Sequence, residues 1–375
     1  MKALGMMSGT SCDGVDCVLV DIADVSTPAA IDILGHHHVP FEVELADQLR
    51  APEDLTIAEI SALHFRLPEI YAEAARGLSG WEQAEVCGAH GQTLWHAPPS
   101  RGDAVASTFQ IGSSAVLAAR LGLPVVSDFR GADIALGGEG APISSYAHWF
   151  CSPREELPHL VVNFGGIANI TWVTEAPEQV LAYDVGPAMM LSDAWARIAS
   201  SGTLDCDRDG VLSAGGAVVQ PLLAEILRHP FLAKKPPKTT GREDFGEAFS
   251  QRLGRIVKGE GVKDVAFTLL VATSEILRNA IDADRALDGE PRLVTLTGGG
   301  AKNPVLVDLV TQAFPDSRVV VPEDGPFAPS HHEPMAMALL AARTLRGLPS
   351  VLPRVTGASR AAILGHVHAP PPRGR

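Results

Sequence analysis

Apolar positions fall into short runs rich in Val, Ile and Leu, separated by longer stretches of helical spacing. That alternation is the texture of an α/β protein. An opening strand runs up to Ser8, and residues 18–22 and 31–41 predict two more. Residues 57–78 have helical spacing, with Pro68 expected to kink or divide the helix because it lacks the backbone N–H. Residues 84–93 read as a strand entering a polar loop, 113–121 as a capped helix, and 123–129 as a short buried strand. The pattern then restarts. Residues 159–174 are strand, glycine turn and strand, and 179–187 form a strand that carries Asp184 near its end. Helices are expected over 188–199, 247–257, 264–284 and 333–347. Residues 292–304 read as a strand, three glycines and a helix start, with Pro304 in the first turn. The tail from His368 is expected to be disordered.

Gly9 and Gly165 each occupy the turn of an apolar hairpin near the start of a half. The chain therefore reads as two similar α/β halves, 1–130 with about 346–375, and 131–345. A length of 375 residues agrees, because single cores stop growing well below that size.

Composition narrows the partners. Hydrophobic residues make up 46% and charged residues 20%, with a net charge of -14. This balance argues against nucleic-acid and anionic-membrane partners. It leaves a nucleotide open, because backbone N–H groups can build a phosphate site. No apolar run reaches the roughly 20 residues that span a bilayer, and the short apolar start is not expected to be a signal peptide. The five cysteines include no CxxC pair, so a reduced, cytoplasmic setting is expected rather than a disulfide framework.

The glycine turns carry the chemistry. Ser8-Gly9-Thr10-Ser11-Cys12-Asp13-Gly14 supplies close backbone approach and several donors. The same sequence also suits a plain hairpin turn at Asp13-Gly14. The second turn, at Gly165-Gly166, tips the reading toward phosphate, and Gly298-Gly299-Gly300 before a helix is a third candidate. Asp13, Asp16 and Asp184 lie beside these turns and strand ends, where a carboxylate can hold a hydrated Mg²⁺ or take a proton. Asp184 ends an apolar strand, where a charge needs a reason. "DCDRDG" (205–210) imitates an EF-hand opening, but Gly216 occupies the position that needs Glu. In "HHH" (36–38) neighbouring side chains point to opposite faces of a strand, so the three cannot share one metal. No residue is nominated as a metal ligand.

Six segments occur in order: "GMMSGTSCDGVD" (5–16), "GAHGQTLWH" (88–96), "PVVSDFRGADIALGGEGAP" (124–142), "NFGGIANIT" (163–171), "PPKTTGREDF" (236–245) and "TGGGAKNP" (297–304). Together they resemble the anhydro-N-acetylmuramic acid kinase family over about residues 5–365. The resemblance implies two ribonuclease-H-like domains of the actin/Hsp70 ATPase type with an interdomain cleft. It implies a kinase using ATP and Mg²⁺ that opens a 1,6-anhydro sugar and phosphorylates O6. It also implies a cytoplasmic homodimer whose partners are the sugar and ATP. By the same resemblance, Asp184 is the base. Gly9, Thr10, Ser11, Cys12, Asp13, Gly14, Val15 and Asp16 form the ATP phosphate loop. Gly165 and Gly166, with Gly298, Gly299 and Gly300, make the other nucleotide turns. His90, Gln92, Asp128, Arg130 and Glu333 line the sugar, with Arg130 suited to the lactyl carboxylate.

The chain departs from the family where it reads Asp184-Val185-Gly186-Pro187-Ala188-Met189 in place of D-T-G-P-G-N, and at His332 and Pro334. A kinase of another anhydro sugar such as levoglucosan, or a weakly catalytic ATP-binding member, stays open at this point.

Overall fold

The structure, a computed structural model, describes residues 1–9, 12–236, 238–284, 287 and 289–372, with the side chains of 242, 243 and 247 outside the description. The chain forms two compact units, Met1–Ser152 with Glu323–Arg375, and Pro153–Pro322.

In the first unit β1 (Lys2–Met7), β2 (Gly14–Ile22) and β3 (Ile31–Pro40) make an antiparallel meander. The strand β4 (Val86–Ala89) lies parallel to β1; β5 (Gln92–Ala97) and β6 (Ser107–Ile111) form a separate hairpin. The sheet continues through β7 (Val125–Ser127), parallel to β4, and ends on the antiparallel strand His366–His368. Alternation sorts the two faces of β1. Leu4 and Met6 enter the core beneath the helices Ile57–Arg76 and Ser114–Leu121, with Leu63, Leu67, Tyr71 and Leu117. The opposite face meets the helix His332–Leu345, which Ala3 and Gly5 allow to come close. Gly88 on β4 is equally constrained, because a Cβ there would sit 2.1 Å from the Met337 carbonyl oxygen.

The helix Ile57–Arg76 runs unbroken through Pro68. Proline leaves the His64 carbonyl without its helical donor. The Ser113 N–H donates to that carbonyl at 2.8 Å, while the His64 ring accepts from the Gly112 N–H at 3.1 Å. The neighbouring loop therefore supplies the bond that proline removes. At the tail, His368, expected to begin disorder, pairs instead with Val125.

The second unit repeats the plan. Its strands β8 (His159–Phe164), β9 (Ile167–Val173) and β10 (Leu181–Pro187) form an antiparallel meander. They are followed by β11 (Leu293–Thr297), parallel to β8, and β12 (Arg318–Val320), parallel to β11. Apart from the added strand His366–His368, both sheets thus share one order, third-second-first-fourth-fifth, with the second strand antiparallel to the other four. That is the ribonuclease-H-like arrangement, present twice. Trp172, Phe164 and Leu296 pack beneath the helix Val262–Ala283 through Leu270 and Ile276.

The unit limits differ from the expected division at residues 130 and 345. The helices Ser145–Cys151 and His332–Leu345 both belong to the first unit, with Cys151 Sγ 3.9 Å from Met335 Sδ. Met335 through Ala342 are almost wholly buried. A Met- and Ala-rich helix advertises burial but carries no address for the sheet it will cover.

Candidate functional site

In the first unit the hairpin turn between β1 and β2 is tied to the "AHGQT" segment. Buried Ser8 donates its hydroxyl to Gln92 Oε1, and Gln92 Nε2 donates to the Gly9 carbonyl at 3.3 Å and to Cys12 Sγ at 3.4 Å. Cys12 adopts a φ of 52°, which lets its N–H return to the Gly9 carbonyl at 3.2 Å. The Cys12 and Val15 side chains lie in the core, leaving only their backbone for a ligand. Burial raises the Cys12 thiol, with Arg50 opposing, so it is a packing residue. Asp13 is exposed and Gly14 buried, while Thr10 and Ser11 lie outside the described residues.

Asp16 has partners that the sequence reading missed. Its Oδ1 meets His36 Nε2 at 2.8 Å and His38 Nδ1 at 3.1 Å. Burial works to raise its carboxyl, but the two imidazoles outweigh burial and hold it below the usual range. The "HHH" run does split between faces. His36 and His38 share the Asp16 side, and the His36 ring lies 5.1 Å from that of His331. The available signal was the two-residue spacing of His36 and His38 on a strand.

Two of the five expected sugar-side residues, His90 and Arg130, are in direct contact, whereas Gln92 is engaged by the glycine turn. Arg130 Nε donates to His90 Nε2 at 3.0 Å and its Nη1 to the Gly140 carbonyl at 2.8 Å, while His90 Nδ1 donates to the Gly91 carbonyl at 2.9 Å. Gln92 follows two residues on. Burial, reinforced by Arg130, takes the His90 imidazole down to about 3, so it is neutral and its tautomer is set. Burial also lowers the Arg130 guanidinium to about 10, opposed by the Glu333 charge, and it stays cationic at neutral pH. Asp128 stands apart: it is exposed, at a φ of 58°, and accepts from the Gly131 N–H at 3.1 Å. Glu333 is exposed near the start of its helix.

In the second unit Asp184 sits half-buried in β10 at a bulge that places Val185 out of register with β9. Its Oδ2 accepts from Thr239 Oγ1 at 2.8 Å and from the Thr240 N–H at 3.0 Å, and its own N–H donates to the Lys238 carbonyl at 3.1 Å. The "KTTG" loop therefore fixes this carboxylate. Neither threonine is among the residues to which the resemblance gives a role, and both lie more than fifty residues from Asp184. Burial lowers the Lys238 ammonium, with Asp184 opposing.

The glycine turns of this unit share a cavity of about 510 Å³. Gly165, Gly166, Gly299 and Gly300 line it, with Ser192 and Asp193 on one side and Lys302 and Asn303 on another. Gly298, just before Gly299 and outside the cavity lining, has a φ of 80°, and an added Cβ there would lie 2.4 Å from Asn163 Oδ1. Phe164, Met189 and four residues of the "DCDRDG" segment, Cys206, Asp207, Arg208 and Asp209, complete the wall. Asp207, 6% exposed, accepts from the Leu212 N–H at 2.6 Å, Ser213 Oγ at 2.5 Å and Asn303 Nδ2 at 3.2 Å. Asn303 Oδ1 in turn caps the helix Pro304–Ala313. The loop is thus bolted to the helix that the three glycines introduce.

Two ribonuclease-H-like units, each opened by a glycine-turned hairpin, define the actin, Hsp70 and sugar-kinase class of α/β proteins. Within it, the family model described as anhydro-N-acetylmuramic acid kinase matches residues 1–370, and the chain belongs to that family. Relatives of that name agree over nearly full length. The protein from Caldanaerobacter subterraneus subsp. tengcongensis is 34% identical, over 97% of this chain and 96% of the relative. That from Parasynechococcus marenigrum is 37% identical, over 99% and 100%. That from Salinibacter ruber is 35% identical, over 98% and 96%.

Proposed function

We propose that the chain is an ATP-dependent kinase that hydrolytically opens 1,6-anhydro-N-acetylmuramic acid. Asp184 takes a proton from water as the water oxygen bonds to C1. The C1–O6 bond breaks, O6 bonds to the γ-phosphorus, and ADP leaves. The products are N-acetylmuramic acid 6-phosphate and ADP, as in the reuse of cell-wall sugar. The observation that carries this reading is the fixed carboxylate of Asp184, held at Oδ2 by Thr239 and Thr240 on the family's catalytic position. Positioned general bases contribute roughly 10²–10⁴ in rate.

The glycine turns and the cavity of the second unit suit the phosphates and nucleoside of ATP. Among the described residues no group of three His, Cys, Asp or Glu is arranged to hold a metal ion, and Asp16 is engaged by two imidazoles. This donor set fits a Mg²⁺ that arrives with ATP, held by phosphates and water and neutralising charge on the transferred group. Arg130 is the residue for the lactyl carboxylate, with His90 a neutral neighbour that fixes its fork. No helix among the described residues is long and apolar enough to cross a membrane. The reading goes with a cytoplasmic homodimer, and light scattering of the purified chain checks the stoichiometry.

The deciding experiment incubates the chain with Mg-ATP and the anhydro sugar in ¹⁸O-water. The expected product is 6-phosphorylated and labelled at C1. Unlabelled product refutes the water-attack step, and turnover of levoglucosan alone refutes the substrate.

A further inference from the structure

The glycine-walled cavity holds two polar side chains that phosphate binding leaves without a task. Ser192 and Asp193 lie in the helix Met189–Ala199, and both line the cavity. Ser192 is 3% exposed and Asp193 is half-buried, and neither side chain has a hydrogen-bond partner among the described residues. The other carboxylates of the wall differ. Asp207 is engaged by Leu212, Ser213 and Asn303, and Asp209 is exposed.

A carboxylate repels phosphate, so the neutral part of a bound nucleotide belongs beside Asp193. A nucleoside offers that carboxylate two kinds of donor: the ribose hydroxyls and, in adenine, an exocyclic amine. Only the vicinal hydroxyls present two O–H groups on adjacent carbons, matched to the two oxygens of one carboxylate. We infer that Asp193 binds the ribose of the nucleotide, accepting hydrogen bonds from its 2′- and 3′-hydroxyls, with Ser192 Oγ beside it. This rests on the nucleotide reading of the cavity and adds a residue to it.

Burial raises the Asp193 carboxyl to about 6, with Arg197 opposing and Asp205 and Asp207 adding. Arg208, Asp209 and Lys302 face the same cavity. Two donated hydroxyl bonds favour the ionised form. Binding should therefore weaken as pH falls from 7 to 5, and more so than in a variant lacking the carboxylate.

The test is calorimetric titration of the full chain with ADP, 2′-deoxy-ADP, 3′-deoxy-ADP and inosine diphosphate, on wild type and Asp193→Asn. Wild type should bind ADP about 10- to 100-fold more tightly than either deoxy analogue, as expected for hydrogen bonds to a charged group. Asp193→Asn keeps only neutral hydrogen bonds to the hydroxyls, so its preference for ADP over the deoxy analogues should fall to about threefold, with the ratio of ADP to inosine diphosphate unchanged. Wild type indifferent to the missing hydroxyls overturns the inference without any variant. So does a variant that keeps the discrimination, or one in which the inosine ratio moves instead. Failure of wild type to bind ADP overturns the nucleotide reading itself, and this inference with it.

Discussion

Replacing Asp184 with Asn separates the proposed base from its scaffold. In the native chain Oδ2 receives two donors, the Thr239 hydroxyl at 2.8 Å and the Thr240 N–H at 3.0 Å. The Asn carbonyl oxygen can receive both, so the loop keeps its anchor and ADP binding should stay within about threefold, less than the weight of one hydrogen bond. What disappears is the capacity to take a proton. Loss of a general base costs about 10²–10⁴ in kcat, or about 2.7–5.4 kcal/mol at 1.36 kcal/mol per tenfold. Asp184→Ala would in addition leave the Thr240 N–H without its acceptor, a further cost of about 1–3 kcal/mol in stability. The assay measures ADP release with anhydro sugar at saturating Mg-ATP, alongside ADP titration and urea unfolding. A kcat for Asp184→Asn within tenfold of wild type would refute the assignment of the base. A large loss of ADP binding would show that the carboxylate acts through the loop. Thr239→Val, which removes one donor and keeps the carboxylate, should reduce kcat by less than Asp184→Asn does.

Three further outcomes are expected. Arg130→Lys keeps the charge but loses the fork, so the KM for the acidic sugar should rise about tenfold or more while that for ATP holds; equal loss with an anhydro sugar lacking the lactyl group would remove the carboxylate role. Gly88→Ala drives a Cβ to within 2.1 Å of the Met337 carbonyl oxygen and should cost about 1–3 kcal/mol or more in urea unfolding, with an unchanged midpoint contradicting the packing. Burial, helped by Arg318, holds the His159 imidazole at about 3 in the folded chain, against 6.5 ordinarily. The unfolded chain therefore binds the extra proton throughout that window, and stability drops as pH falls from 6.5 toward 3. Through this residue the loss is about 2 kcal/mol by pH 5, and it should be absent from His159→Gln. Equal pH slopes in variant and wild type would disprove it.

The candidate site was legible in parts that differ in kind. Glycine turns, hydroxyls and a carboxylate at a strand end are local features, so Gly9, Gly165, Gly298 and Asp184 stood out before any fold was known. Asp16 lies in register with His38 and diagonal to His36 on the neighbouring strand, and nothing local in the sequence says so. Thr239 and Thr240 lie far along the chain from Asp184, and their role depends on a loop reaching back over β10. The "DCDRDG" segment was judged by its likeness to a calcium loop, when its task is to wall a cavity through Asp207 and Asn303.

By itself the sequence determined the elements and the doubling of the fold, because side chains return to the same face of a strand every second residue and of a helix every three to four. Those periods are written into neighbouring residues, as in Leu4 and Met6 against Ala3 and Gly5. Only the tertiary structure decided which sheet the helix His332–Leu345 covers, what bonds the His64 carbonyl opposite Pro68, and which donors hold Asp184. Each of these is a pairing between segments remote in the chain. An apolar face or an unpaired carbonyl declares that a partner is required, and the topology alone selects which one arrives.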